Sequence, residues 1–210
     1  MDRSRLEAFS DGVIAVAITL LALDLVLPGR GHGTLLEQLT EKWPAFIAYL
    51  ISFLTIGIIW VNHHALVRTI RRVDRTVLFL NLMLLMFIVL IPFATATVAD
   101  YLTAGDEDSR RLAMVLYGGV LVGMSAGFGA ILEWTLHGQR VYQPLPAEQH
   151  WAVRRRFAGG GLVYVTATIV AVFSPIVAFV IIGLVAVYYI FERTPASPDP
   201  PDSGDDETVA

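Results

Sequence analysis

The apolar residues of this chain gather into five long blocks separated by short polar segments. A helix needs ~20 apolar residues, at about 1.5 Å each, to cross ~30 Å of hydrocarbon. The first block, roughly 8–27, reads AFSDGVIAVAITLLALDLVL and stops at Pro28-Gly29. The second covers about 44–62, from Trp43-Pro44 to Trp60-Val61-Asn62. The third is about 76–99, with Pro92 expected to kink it, and the fourth is about 111–136. The last runs from Ala158 to Phe191, which as one helix would be roughly 50 Å long. Ser174-Pro175 divides it at the middle, because proline disfavours helical geometry in the residue before it. The pattern therefore predicts an all-α, multi-pass integral membrane fold of six helices. Their expected bounds are about 4–27, 44–62, 76–99, 111–136, 158–173 and 175–191.

Composition agrees with a membrane protein. Of the 210 residues, 55% are apolar and only 16% charged, with a mean hydropathy of +0.62. Such a balance excludes an ordinary soluble domain. With no cysteine, disulfides, thiolate nucleophiles, iron–sulfur clusters and Cys-based zinc sites are excluded as well. Charge gives the orientation. With six spans and the N-terminus inside, the cytoplasmic segments are 1–8, 63–75, 137–157 and 192–210. They hold Arg3, Arg5, Arg68, Arg71, Arg72, Arg75, Arg140, Arg154, Arg155, Arg156 and Arg193, and only Arg30, Lys42, Arg110 and Arg111 lie outside. The positive-inside rule thus places both termini in the cytoplasm. Trp43, Trp60, Trp134 and Trp151 all fall at or near expected span ends, where indole prefers the headgroup layer. The segment 192–210, rich in proline and acid, reads as a disordered tail. No segment between blocks is long enough for a catalytic, nucleotide-binding or nucleic-acid-binding domain, so the chain does not read as an enzyme and no cofactor is expected.

Polar groups within hydrocarbon are costly, and the first block has the most: Ser10, Asp11, Thr19 and Asp24. At 100° per residue, Gly12, Val16, Thr19, Leu20, Leu23 and Leu27 share one face about 100° wide. Two readings of this stripe stand side by side. It is a packing face whose threonine bonds back to its own backbone. Alternatively it lines a pore, where copies of Val16, Leu20 and Leu23 form narrow apolar rings and Thr19 hydroxyls replace part of an ion's hydration. Asp11 lies near the cytoplasmic end of the first span, and Asn62, His63 and His64 at that of the second. Arg5, an imidazole or a helix start could satisfy its carboxylate, in a polar clamp or at an ion path. His63 and His64 point about 100° apart and make a poor metal site. Gly119, Gly123 and Gly127, four residues apart, suit close helix packing. Glu133, beside Trp134, is expected at the interface.

The residues Arg5-Leu6-Glu7-Ala8-Phe9-Ser10-Asp11 match R-x-x-x-F-S-D and run directly into GVIAVAITLLALDL. With Trp60-Val61-Asn62-His63-His64 and NLMLLMFIVLIPFATA, they make the chain similar to prokaryotic members of the transmembrane protein 175 family of potassium channels. The resemblance implies a homotetramer of six-helix subunits in the prokaryotic plasma membrane, with the first helix of each lining a central pore for K⁺. It places the hydrophobic constriction on Val16, with Leu20 and Leu23 as further rings, and the selectivity-linked threonine on Thr19. It assigns Arg5, Ser10, Asp11, Trp60 and His63 or His64 to a network behind the pore. Valine at the constriction departs from the family's more usual isoleucine or leucine, and the TVGYG filter of ordinary potassium channels is absent. The competing reading is a secondary transporter or proton-coupled carrier using Asp11 and His63/His64, although the chain has no inverted repeat.

Overall fold

A computed structural model describes residues 2–29, 31–137 and 147–191. The expected tail 192–210 and Arg140 lie outside the described residues. The described structure is all helical: α1 (Arg3–Leu20), α2 (Leu35–Glu41), α3 (Trp43–Thr69), α4 (Arg75–Ala104), α5 (Glu107–His137), α6 (Ala147–Phe173) and α7 (Pro175–Phe191). Four helices are long and apolar enough to cross a membrane: Arg3–Asp24, Trp43–Thr69, Arg75–Thr103 and Glu107–His137. Ala158–Phe173 and Pro175–Phe191 are shorter apolar helices.

Helix bounds depart from the apolar blocks in four main places, one of them the start of α6 at Ala147, eleven residues before the expected 158. α1 does not continue to Leu27: after Leu20 the backbone tightens into a 3₁₀ turn, Leu21–Asp24, and then leaves helical geometry. α3 runs seven residues beyond Asn62, so His63 and His64 stand within a helix rather than at its end. α2 has no counterpart among the blocks. It begins with a reciprocal cap, in which the Glu37 amide donates to the Thr34 hydroxyl at 3.3 Å and the Thr34 amide donates to Glu37 Oε2 at 2.7 Å. That amide holds the Glu37 carboxyl below the usual carboxylate range. Pro92 stands inside α4, which continues on both sides of it.

α4 and α5 form the most closely packed pair, with α6 against α5, α7 against α6 and α3, and α1 against α3 and α4. Glycine makes the approach possible. A Cβ on Gly123 would lie 2.2 Å from the Phe87 ring, and one on Gly127 would lie 3.0 Å from the Leu84 Cα. Gly118 abuts Thr168 of α6, whereas Gly119 meets open space. The bundle also encloses a hydroxyl cluster, with Ser52 Oγ 2.7 Å from Thr95 Oγ1 and 2.8 Å from the Tyr117 hydroxyl. These three side chains tie α3, α4 and α5 in the core, and each hydroxyl is satisfied without water. At one end, Asp74 caps α4 through the Val77 amide and accepts from Trp134 Nε1 at 3.0 Å. There Arg154 of α6 donates to both carboxylate oxygens of Glu133 of α5, through Nε and Nη2.

Gly118 and Gly119 provide a matched test, since alanine gains about 1 kcal/mol of helix propensity at either position. Gly119→Ala should keep or raise the melting temperature of detergent-solubilised protein. Gly118→Ala places its Cβ 2.3 Å from Thr168 Oγ1 and should destabilise by about 1–3 kcal/mol. Equal melting temperatures would contradict this packing.

Candidate ion pathway and the polar network beside it

α1 has two distinct faces. Leu6, Ser10, Ile14, Ala17 and, in the 3₁₀ turn, Leu21 are buried against α3 and α4. Their spacing of three and four residues keeps them on one side of the helix. About 130° round the axis lie Phe9, Gly12, Val16, Thr19, Leu20 and Leu23, and all of them are exposed. Val16 is 57% exposed and Leu23 65%, although both sit in the C-terminal half of an apolar, membrane-capable segment. The stripe is therefore presented to something outside the subunit. Because 3₁₀ geometry eclipses residues three apart, Leu23 stands nearly in line above Leu20.

Thr19 Oγ1 donates to the Val16 carbonyl at 2.8 Å. This is the back-bond that the packing reading expects, and it also orients the group. The hydroxyl spends its one hydrogen on the backbone, so its remaining electron pairs can only act as acceptors on the exposed face. An oxygen in that state suits a cation.

The buried face of α1 carries the polar chemistry. His63 Nε2 lies 2.8 Å from Asn81 Oδ1, Asn81 Nδ2 donates to Ser10 Oγ at 3.0 Å, and Ser10 donates to the Leu6 carbonyl at 2.9 Å. Read with those donors, the chain has one direction. Asn81 Oδ1 can only accept, so the His63 proton sits on Nε2. All three side chains are buried, and they tie α1, α3 and α4 at one level. The chain stands beside the exposed stripe and does not enter it.

The other expected network residues divide. Trp60 Nε1 donates to Asp11 Oδ1 at 2.8 Å, which brings α1 and α3 together a second time. His64 Nδ1 lies 2.8 Å from Glu7 Oε1, so the adjacent imidazoles diverge, His63 to Asn81 and His64 to Glu7. Arg5 is exposed and makes no hydrogen bond or ion pair among the described residues. Asp11, His63 and His64 thus have three separate partners and do not form a contiguous relay. Two members of the network had escaped notice. Asn81 is a lone amide opening the apolar run NLMLLM, and the cost of an amide in hydrocarbon was the signal that marks it. Glu7 sits inside the R-x-x-x-F-S-D segment at a position the motif leaves free.

Asn81 is the central link, so Asn81→Leu should cost about 2–4 kcal/mol by orphaning buried groups on both Ser10 and His63. Trp60→Phe, which breaks a more exposed bond, should cost less. Thermal unfolding in detergent checks the order, and an Asn81→Leu variant as stable as the parent would contradict it.

A family model described as endosomal/lysosomal potassium channel TMEM175 matches residues 5–92, which include α1, α3 and the Asn81 turn of α4. A protein named potassium channel from Streptomyces collinus is 40% identical over 196 residues, 92% of this chain and 94% of that one. Another potassium channel, from Chamaesiphon minutus, is 30% identical over 193 residues, 90% of this chain and 93% of that one. The crystal structure of a lysosomal potassium-selective channel TMEM175 homologue from Chamaesiphon minutus superposes with a TM-score of 0.79 at 29% identity. That match covers 90% of this chain and 96% of the other. The chain belongs to the TMEM175 family, a family of ion channels and not of enzymes.

Proposed function

We propose that the chain is a potassium channel that conducts K⁺ passively through a pore lined by α1 in a homotetramer. Each subunit contributes six membrane helices, the apolar segments 158–173 and 175–191 completing the set, with both termini on the cytoplasmic side of a prokaryotic plasma membrane. The transmembrane domain covers 1–191, and 192–210 is an acidic cytoplasmic tail. The observation that carries this reading is the exposed stripe of α1. Lipid would accept Val16, Leu20 and Leu23, but it gives no role to the exposed Thr19 hydroxyl on the same face, whose free electron pairs suit a cation path. Four-fold symmetry brings the stripes together on one axis, and the relatives named potassium channel point to K⁺ as the ion.

In that assembly Val16, Leu20 and Leu23 form successive apolar rings, which close a narrow pore by excluding water. Valine, smaller than isoleucine or leucine, leaves the constriction wider. Thr19 supplies a ring of hydroxyl oxygens between the first two apolar levels, each with its hydrogen tied to the Val16 carbonyl. Four such oxygens replace only part of a hydration shell, so discrimination between K⁺ and Na⁺ is modest compared with stacked carbonyl rings. Ser10 and Asp11, with Trp60, His63, His64 and Asn81, hold α1 to its bundle without touching the ion.

Purified protein in liposomes should dissipate a K⁺ gradient without ATP. Thr19→Ala should keep conduction and bring the K⁺ over Na⁺ permeability ratio towards unity under bi-ionic recording. Folded protein that passes no K⁺, or a Thr19→Ala variant with unchanged discrimination, would count against the respective parts of this account.

A further inference from the structure

α2 carries an apolar face that nothing in its own subunit covers. Leu35, Leu36 and Leu39 are 64%, 71% and 38% exposed, and Trp43, the first residue of α3, is 55% exposed. At 100° per residue the three leucines of α2 share a face about 100° wide, and Trp43 follows across the Lys42 turn. Glu37 and Glu41 point the other way, and Gln38 is turned into the protein. Lys42 stands between the two helices, its amide donating to the Gln38 carbonyl of α2 at 3.2 Å and its carbonyl accepting from Ala45 of α3 at 3.0 Å. With a single residue between the helices, the apolar face of α2 is followed at once by exposed apolar residues of α3, where Phe46, Ile47 and Leu50 come after Trp43 in the membrane-capable segment.

α2 is also fastened to the end of the α1 segment. Gln38 Oε1 accepts from the Gly29 amide at 3.0 Å, and Gln38 Nε2 donates to the carbonyls of Gly29 at 2.8 Å and Gly33 at 3.3 Å. Gly29, Gly31 and Gly33 all have positive φ, between 87° and 98°, which lets the connection curl around one side chain. One amide thus couples α2 to the chain leaving the 3₁₀ turn that holds Leu23.

We propose that α2 is an interfacial anchor whose Leu35, Leu36, Leu39 and Trp43 face lies in the headgroup–acyl boundary of the leaflet at the outer end of α1. The occupant is bilayer phospholipid. Position argues for it, since α2 joins two membrane-capable helices and has nowhere to lie but at the surface between them. Composition agrees, with leucines and one tryptophan on one side and carboxylates on the other. The exposed apolar residues of α3 that follow at once extend the same contact into the membrane-capable segment. Through Gln38, the depth of α2 in the lipid sets the position of the outer end of α1.

The cysteine-free chain allows a direct test. Single cysteines at Leu36→Cys, Leu39→Cys and Glu41→Cys, spin-labelled in phospholipid liposomes, report collisions with oxygen, which partitions into lipid, and with a water-soluble nickel chelate. The proposal expects the oxygen-to-nickel collision ratio at positions 36 and 39 to exceed that at 41 several-fold. Higher nickel access at 36 and 39 would place the face in water. An immobilised label shielded from both reagents would place it against another protein surface, including a neighbouring subunit. Either outcome overturns the proposal. The labels report at full-length protein whether or not it passes K⁺.

Discussion

A polar group inside hydrocarbon must be matched by another polar group, and this chain meets the requirement for α1 on one side only. Ser10 accepts from Asn81, which accepts from His63, while Asp11 accepts from Trp60. Each unmatched group would cost about 1–3 kcal/mol, so the rotation of α1 is not free. Apolar burial acts in the same sense, because Leu6, Ile14, Ala17 and Leu21 lie on the face that carries Ser10. Turning the helix by one residue would expose Ser10 and push charged Asp11 towards the core. The exposed stripe follows from this double constraint, since the polar contacts and the packing together select the face left uncovered.

Polar groups are divided along the length of α1. The hydrogen bonds that fix the helix lie near its start, and the stripe begins beside them and runs on to the 3₁₀ turn. Thr19 is held by its own backbone and has only acceptor capacity to offer, a local arrangement that needs no help from neighbouring helices. The tightening after Leu20 stacks Leu23 over Leu20, which a continuous α-helix would have set about 60° aside. Beyond that turn, Gln38 gathers the glycine-rich connection and ties it to α2. The two ends of the α1 segment are thus held by different means, by the helix bundle at one end and by a surface element at the other.

Much of this was legible from the pattern of residues. Long apolar blocks with tryptophan at their ends announce membrane helices, and projection at 100° per residue alone groups Val16, Thr19, Leu20 and Leu23. What stayed hidden had physical reasons. α2 is only seven residues long, too short for a period to stand out, and its cap became meaningful once the helix was seen. Asn81 was lost in a leucine- and methionine-rich run, and its partners lie 18 and 71 positions away. Ser52, Thr95 and Tyr117 meet from three helices, a convergence no local spacing encodes. Leu27 shared the projected face but falls beyond the 3₁₀ turn, because projection assumes a helix that the backbone has already left. Arg5, the first residue of the motif, is not drawn into the network within the subunit.

The central claim is that the exposed stripe of α1 faces the ion. Val16→Cys in this cysteine-free chain tests it most directly, with potassium current recorded in planar bilayers before and after a small methanethiosulfonate cation is added. The account predicts that modification of this single position blocks the current, while the unmodified parent is unaffected. A current that persists unchanged after mass spectrometry shows the thiol to be fully modified would contradict it.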